Sequence, residues 1–332
     1  MAYSAGNIIL DDEYNTFATG NADGTGNVAN AAINSVWATG ADSKGWGQTS
    51  NVAAVSAGTT ITATQWANLF STFASISSHT GVTVTSITNP IAGDVIDAKS
   101  TFSGDLSTLY TNSANAAASG SDLTTNGTTT TTSSWDVRAV LTQVFTWADA
   151  DSFRYFWNAG GMLRFAYSRT GGTTSDKNTE WTDLLTQAGT IVLTGIAAAK
   201  TIAGTEYTGT TKVGGSGTAD TLATATGAYD LTTSNTILFK QFADTSPYTT
   251  NYIQIEALVD NVSTPTSITI TTTLEDAAAD TIAPDGSGSG DNLDVVDGTL
   301  TGTHVIRPPS TTYLTASWGT PTMNAVAWSL TS

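Results

Sequence analysis

The sequence predicts a mixed α+β protein, a helical and mixed N-terminal region followed by a compact central α/β module and an antiparallel β-sandwich-like C-terminal domain. Three observations predict it. Aromatic and aliphatic residues at helical spacing follow a capping signal at Thr62. Strand-like and helix-like patterns alternate through residues 135–195. From about residue 197, short alternating runs are punctuated by Pro, Gly, Asn and Asp, the rhythm of an antiparallel sandwich or meander. The expected division is a mixed helix/loop region at 1–115, a Thr/Ser/Gly-rich linker at 116–134, the central module at 135–196 and the β-rich domain at 197–332.

Taken in order, residues 8–18 suggest a short helix, with a Gly/Asn/Asp-rich loop to about residue 30. Thr62 and Gln65 fit a capping box, in which hydroxyl and amide satisfy free N–H groups of the first turn. Trp66, Leu69, Phe70, Phe73 and Ile76 then share one face, and Gly81 stands just past the end. A second helix from Gly93 and Asp94 places Val95, Phe102, Leu106, Leu109 and Tyr110 on one side. Two faces this aromatic are expected to pack on each other. Residues 111–134 hold Leu123 as their single large apolar residue, which marks the linker.

In the central module, 137–147, 162–169 and 190–194 read as strands, and 149–158 and 176–187 as helices. Phe153, Phe156, Trp157, Trp181, Leu184 and Leu185 lie at helical spacing, while Val140, Val144, Leu163, Phe165 and Ile191 come from the strands. Neither set is buried except against the other, so one compact unit is expected. Gly160 and Gly161 make the reversal between helix and strand, where a side chain clashes or needs positive φ. Further strands are expected at 237–242, 252–259, 267–274, 313–318 and 325–330, with no internal repeat of fixed period.

Composition narrows the function classes. Eleven Lys and Arg stand against 28 Asp and Glu, a net charge of -17, with 12% of residues charged. An ordinary soluble domain carries roughly twice that fraction. Thr, Ser, Gly, Ala and Asn take their place, and short neutral polar side chains lose little rotamer entropy when buried against a neighbouring subunit. Such acidity argues against wrapping nucleic acid, which needs clustered cations. Without cysteine there is no disulfide, thiolate metal site or thiol nucleophile. The first residues carry no export signal and no stretch approaches the ~20 apolar residues of a membrane span. Synthesis in a cytoplasm, without membrane insertion, is expected; a secreted adhesin or surface-layer protein would normally carry a signal.

The sequence offers few groups for chemistry. His79 falls at a helix end, where an imidazole caps carbonyls or meets the dipole, and neither it nor His304 has ligand-spaced partners. The carboxylate sets Asp11/Asp12/Glu13, Glu180/Asp183, Glu256/Asp260 and Glu275/Asp276 are candidates for the two acids of a glycan hydrolase. They read better as solvated surface. The run Asp285 to Asp294 hints at a calcium loop but has Val296 where the bidentate acid belongs, so a flexible acidic loop is expected. No catalytic residue, metal site or cofactor is expected. Arg154, Arg164, Arg169 and Lys177 concentrate cations in the central module. Two readings stand side by side. They balance local acids such as Asp151, Asp176 and Glu180, or they form a positive assembly patch for an acidic neighbour.

One segment carries a resemblance. Residues 153–172 (Phe-Arg-Tyr-Phe-Trp-Asn-Ala-Gly-Gly-Met-Leu-Arg-Phe-Ala-Tyr-Ser-Arg-Thr-Gly-Gly), then Lys177-Asn-Thr-Glu-Trp-Thr-Asp-Leu-Leu185 and Gly189-Thr-Ile191, resemble a module of virion structural proteins of tailed bacteriophages, especially of marine and cyanobacterial hosts. The helix at 62–78 with His79, and Gly93-Asp-Val-Ile96, resemble the region upstream of it. The resemblance covers residues 60–195 and reaches the β-rich end only in style. It implies a non-enzymatic structural role in a phage tail, baseplate, neck or tail fibre, in assembly and host adhesion. Partners would be other virion proteins and copies of the chain in a homo-oligomer, a trimer or hexamer, with host cell-surface glycan as a further contact. The alternative is a glycan-binding or glycan-degrading tailspike or receptor-binding protein.

Overall fold

The computed structural model describes residues 11–24, 30–85, 99–117, 127–278, 295–314, 320–324 and 327–332, with Lys99 and Ser100 described by backbone only. Four helices open the chain, α1 (Asp11–Thr19), α2 (Ile33–Trp37), α3 (Ala63–Thr80) and α4 (Lys99–Thr111). The capping box is present: the Thr62 hydroxyl accepts from the Gln65 amide at 3.2 Å, and the Gln65 side chain accepts from the Thr62 amide at 2.7 Å. Gly81 ends α3 in the left-handed conformation at φ 69°. The aromatic faces of α3 and α4 meet as expected, with Phe102 4.7 Å from Phe73 and 5.3 Å from Phe70 between ring centroids. The proposed start of α4 at Gly93–Val95 lies outside the described residues. The short α2 falls where the sequence pattern predicts no helix.

The chain then builds β1 (Thr128–Thr131), β2 (Arg138–Thr146), α5 (Ala150–Asn158), β3 (Met162–Thr170), α6 (Asp176–Ala188), β4 (Thr190–Leu193), β5 (Lys200–Ile202), β6 (Thr205–Tyr207), β7 (Thr210–Val213) and β8 (Thr221–Leu222). It continues through β9 (Thr236–Phe242), β10 (Tyr252–Val259), β11 (Ser267–Glu275), β12 (Thr299–Arg307), β13 (Thr322–Asn324) and β14 (Ser329–Thr331). One sheet has the order β1-β12-β3-β4-β7; the other runs β13-β2-β11-β10-β9-β8, with β14 also on β2. Every strand pair in both is antiparallel. β5 and β6 make a separate small hairpin.

The sheets pack face to face. Phe145 of β2 lies 5.9 Å from Phe165 of β3, and the Tyr167 and Thr272 hydroxyls hydrogen-bond across the core. Alternate residues of β10, β11 and β12 are buried, as one-sided strands require. Trp328, just before β14, donates its indole N–H to the Thr129 carbonyl at 3.0 Å, tying the β1 edge to the opposite sheet. α5 crosses from one sheet to the other, and α6 packs on β3 while reaching β9 and β10. The fold is thus mixed α+β with antiparallel sheets.

Two expectations of domain organisation are corrected. The five elements of the central module exist nearly as read, and both Trp157 and Trp181 are buried. They do not form one unit: β2 lies in one sheet, β3 and β4 in the other. β3 finds its long partner in β12, and β2 finds its own in β11. Alternation says which side chains face inward but not which sheet holds them. The supposed linker is also partly structure. Ala116 bridges Ile202, and Thr128–Thr131 is the edge strand β1. A Thr run suits an exposed strand as well as a loop. At the end of the chain, Tyr313 and Leu314 are not in a strand and 315–319 lie outside the described residues, so the 313–318 strand is not seen as such.

Candidate functional site

The four cations of the sequence-derived patch do not form a surface. The Arg169 side chain is only 5% exposed, donating to the carbonyls of Asp297 and Asn178 at 2.6 and 3.1 Å and pairing with the Asp297 carboxylate at 3.2 Å. Lys177 pairs with Asp276 at 2.7 Å, both side chains buried. Arg154 bonds the carbonyls of Thr39 and Lys44 at 2.7 and 2.9 Å and Asp151 at 3.1 Å. Arg164 is half-buried with a partner of its own. The balancing of local acids holds for Arg154 with Asp151. The acids that engage Arg169 and Lys177 come instead from the far end of the chain, which no local reading reaches.

Two of the nominated carboxylate sets are likewise separated. Glu275 pairs with Arg138 while its neighbour Asp276 faces Lys177. Glu180 is buried and accepts from the amides of Asp244 and Thr245 at 3.2 and 3.4 Å, whereas Asp183 is exposed. Asp297 shows how strongly such a group is held. Burial raises its pKa, but hydrogen bonds from Thr173 and Asn178 and the Arg169 charge together bring it below the usual carboxylate range. The segment 285–294 lies outside the described residues. Among the described residues no group of three or more His, Asp or Glu is placed to hold a metal ion.

His79 is at the helix end, but not as a cation facing the dipole. It is fully buried, with its ring 4.6 Å from Trp46 and Nε2 3.0 Å from the Ala159 carbonyl. A carbonyl only accepts, so Nε2 carries the proton. Desolvation lowers its pKa to about 4, which keeps it neutral. His304, buried in β12, is lowered to about 4 by the same cause.

The segment Phe153 to Gly161 has a clear structural task. Asn158 shares its side-chain N–H donors among the carbonyls of Lys44, Gly45 and Asp42 at 2.8, 3.1 and 3.2 Å. The Trp46 indole donates to the carbonyls of Asn158 and Ser113 at 3.0 and 3.1 Å. With Arg154 on Thr39 and Lys44, α5 therefore clamps the loop 39–46 and joins the helical region to the sandwich. Gly160 has φ 94°, and a Cβ there would lie 2.7 Å from that of Ala116, so the glycine is needed on both counts.

Over this junction opens a cleft of about 650 Å³. Its acidic side is Asp42 and Ser43 from the clamped loop and Asp151 from the first turn of α5. Its floor includes Phe153, Tyr229, Leu231 and Val259. The Tyr229 hydroxyl donates to the Arg154 carbonyl at 3.0 Å and the Asn158 side-chain oxygen at 2.8 Å, and desolvation raises its pKa far above the usual value. The outer wall is the β10–β11 turn with Val262 and Pro265. This turn is tightly held. Asp260 Oδ1 accepts from the amides of Thr266 and Ser267, both at 2.9 Å, and Asn261 Oδ1 accepts from Ser263 and Thr264 at 2.8 and 3.0 Å. Val262 is left 60% exposed.

Sequence reading missed this site. The signal for Val262 was present, an apolar residue amid the polar turn Asp260-Asn-Val-Ser-Thr-Pro265. Asp42 and Tyr229 carry no local mark and meet only through the fold. No family model, curated protein or solved structure matches the chain. Among the described residues no helix is long and apolar enough to cross a membrane.

Proposed function

We propose that this chain is a non-enzymatic structural component of a tailed-phage virion, belonging to the tail, baseplate, neck or fibre. The observation that carries the reading is the internal engagement of its few cations. Every described Lys and Arg side chain has an intramolecular partner. Lys200, for example, spends its ammonium on the Thr194 hydroxyl and the carbonyls of Ile196 and Ala198 at 2.8, 2.6 and 3.1 Å. Arg138, 49% exposed, reaches the surface but is paired there with Glu275, and most of the polar coat is hydroxyls, amides and acids, which lose little entropy at subunit contacts. The resemblance of residues 60–195 to virion proteins points the same way, and residues 153–161 of that stretch form the clamp.

Within this role the chain forms a ring or closed homo-oligomer of three or six copies that contacts other virion proteins and, at the host surface, glycan. Sedimentation of the purified protein and a cryo-EM map of the particle test it; a single unpartnered copy per virion, or absence from the particle, overturns it. The tailspike alternative would need two cooperating free carboxylates, and Glu180, Glu275 and Asp276 are engaged by protein groups. Incubation with host capsule or lipopolysaccharide is expected to release no new reducing ends.

A further inference from the structure

We infer that the cleft beside α5 docks a segment of a different protein that presents a lysine or arginine next to an aliphatic side chain. The inference stands on the cleft alone and holds whichever assembly contains the chain.

Asp42 is exposed, and the Asp151 side chain is 68% exposed. The one cation in the lining, Arg154, is 20% exposed and commits its donors to the carbonyls of Thr39 and Lys44 and to one oxygen of Asp151. Lys44, next to Ser43, turns its ammonium to the Tyr110 carbonyl at 2.6 Å and the Ser113 hydroxyl at 2.9 Å. The rim therefore sets two carboxylates against one partly buried guanidinium that meets only one oxygen of Asp151, which leaves a net negative rim, and the net charge of -17 draws cations toward the molecule.

The opposite wall fixes what accompanies the cation. Val262 and Pro265 line the cleft with Leu231, Val259 and Ile196, and the hydrogen-bonded turn holds Val262 outward before anything binds. Such an aliphatic wall gives nothing to a hydrated metal ion. It suits a sugar poorly too, because Phe153 is wholly buried and the Tyr229 hydroxyl is already spent. A second copy of this chain is a poor occupant, since its described cations are engaged internally. A basic side chain has both an aliphatic stem for the wall and a charged head for the rim.

The test uses the full chain with labelled Ile, Leu and Val methyl groups and three tripeptide amides, Leu-Lys-Leu, Leu-Gln-Leu and Leu-Glu-Leu. The lysine peptide is expected to shift the methyls of Ile196, Leu231, Val259 and Val262, binding about tenfold more tightly than the glutamate peptide. Raising salt from about 0.02 M to about 0.5 M should erase most of that preference in the unaltered protein. The pair Asp42→Asn and Asp151→Asn should abolish it; Asn tolerates the positive φ of 50° at position 42. Val262→Ser should weaken the lysine peptide without changing the charge. Equal binding of all three peptides, shifts centred elsewhere, or a preference that survives high salt overturns the proposal.

Discussion

Lys177 and Asp276 sit at 2.7 Å with side chains 4% and 1% exposed, so each depends on the other to be charged inside the protein. Removing one partner leaves an uncompensated buried charge, whereas removing both leaves an apolar gap that can be filled. Lys177→Met should cost ~3–5 kcal/mol in urea unfolding, and the double change Lys177→Met with Asp276→Leu clearly less. A double variant as unstable as the single would contradict the account. The histidines act in the opposite sense. His79 and His304 are lowered from 6.5 to about 4 in the fold, so the unfolded chain takes up protons first as pH falls. Their contribution is complete above about 6.5 and declines toward about 4. For His79 alone the loss is roughly 3 kcal/mol. Below that window the decline continues through groups such as Asp297, held below the carboxylate range. His79→Gln should flatten the fall of thermal midpoint between pH 7 and 4, and an unchanged slope would remove His79 from the explanation.

Helix α5 shows what an element does beyond its own hydrogen bonds. Asp149 caps it, accepting from the Ser152 amide at 2.6 Å, and Phe153, Phe156 and Trp157 bury one face against Trp147. Its remaining polar residues hold the loop 39–46. Asn158→Ala leaves the buried Gly45 carbonyl short of a donor, while the Lys44 carbonyl keeps Arg154, and should cost ~1–3 kcal/mol. Amide exchange at Trp46, Gly47 and Gln48, which bond back to Val36, Ala38 and Trp37, should rise with it. Asn158→Asp keeps an oxygen for Tyr229 but loses both N–H donors, and is expected to be no better than Ala. Rescue by Asp would mean that the Tyr229 bond, rather than the clamp, matters.

At the scale of the whole molecule the sandwich is assembled from distant parts of the chain. β2 is flanked by β11 on one side and β13 and β14 on the other, while β12 stands between β1 and β3. A fragment spanning residues 135–196 therefore retains the β3–β4 pair and loses the partners of β2 and most of those of β3. Expressed alone it should lack dispersed amide resonances and a cooperative melt, since one short pair with an uncovered apolar face is not independently stable. A folded fragment would restore the central module as a unit.

The sequence by itself determined the elements. The caps at Thr62 and Gly81, the helical spacing of Trp66 to Ile76 and the alternation through β2, β10 and β11 are local facts, written within a few residues of where they act. It also marked residues 153–161 as unusual without saying why. The tertiary structure alone decided the sheets and the site. Whether β2 pairs with β3 or β11, whether Arg169 meets Asp176 or Asp297, and whether Asp42 and Asp151 line one cleft depend on residues far apart in the chain. Such choices turn on which complete packing buries the most apolar surface with every charge paired, and no window of sequence contains that comparison.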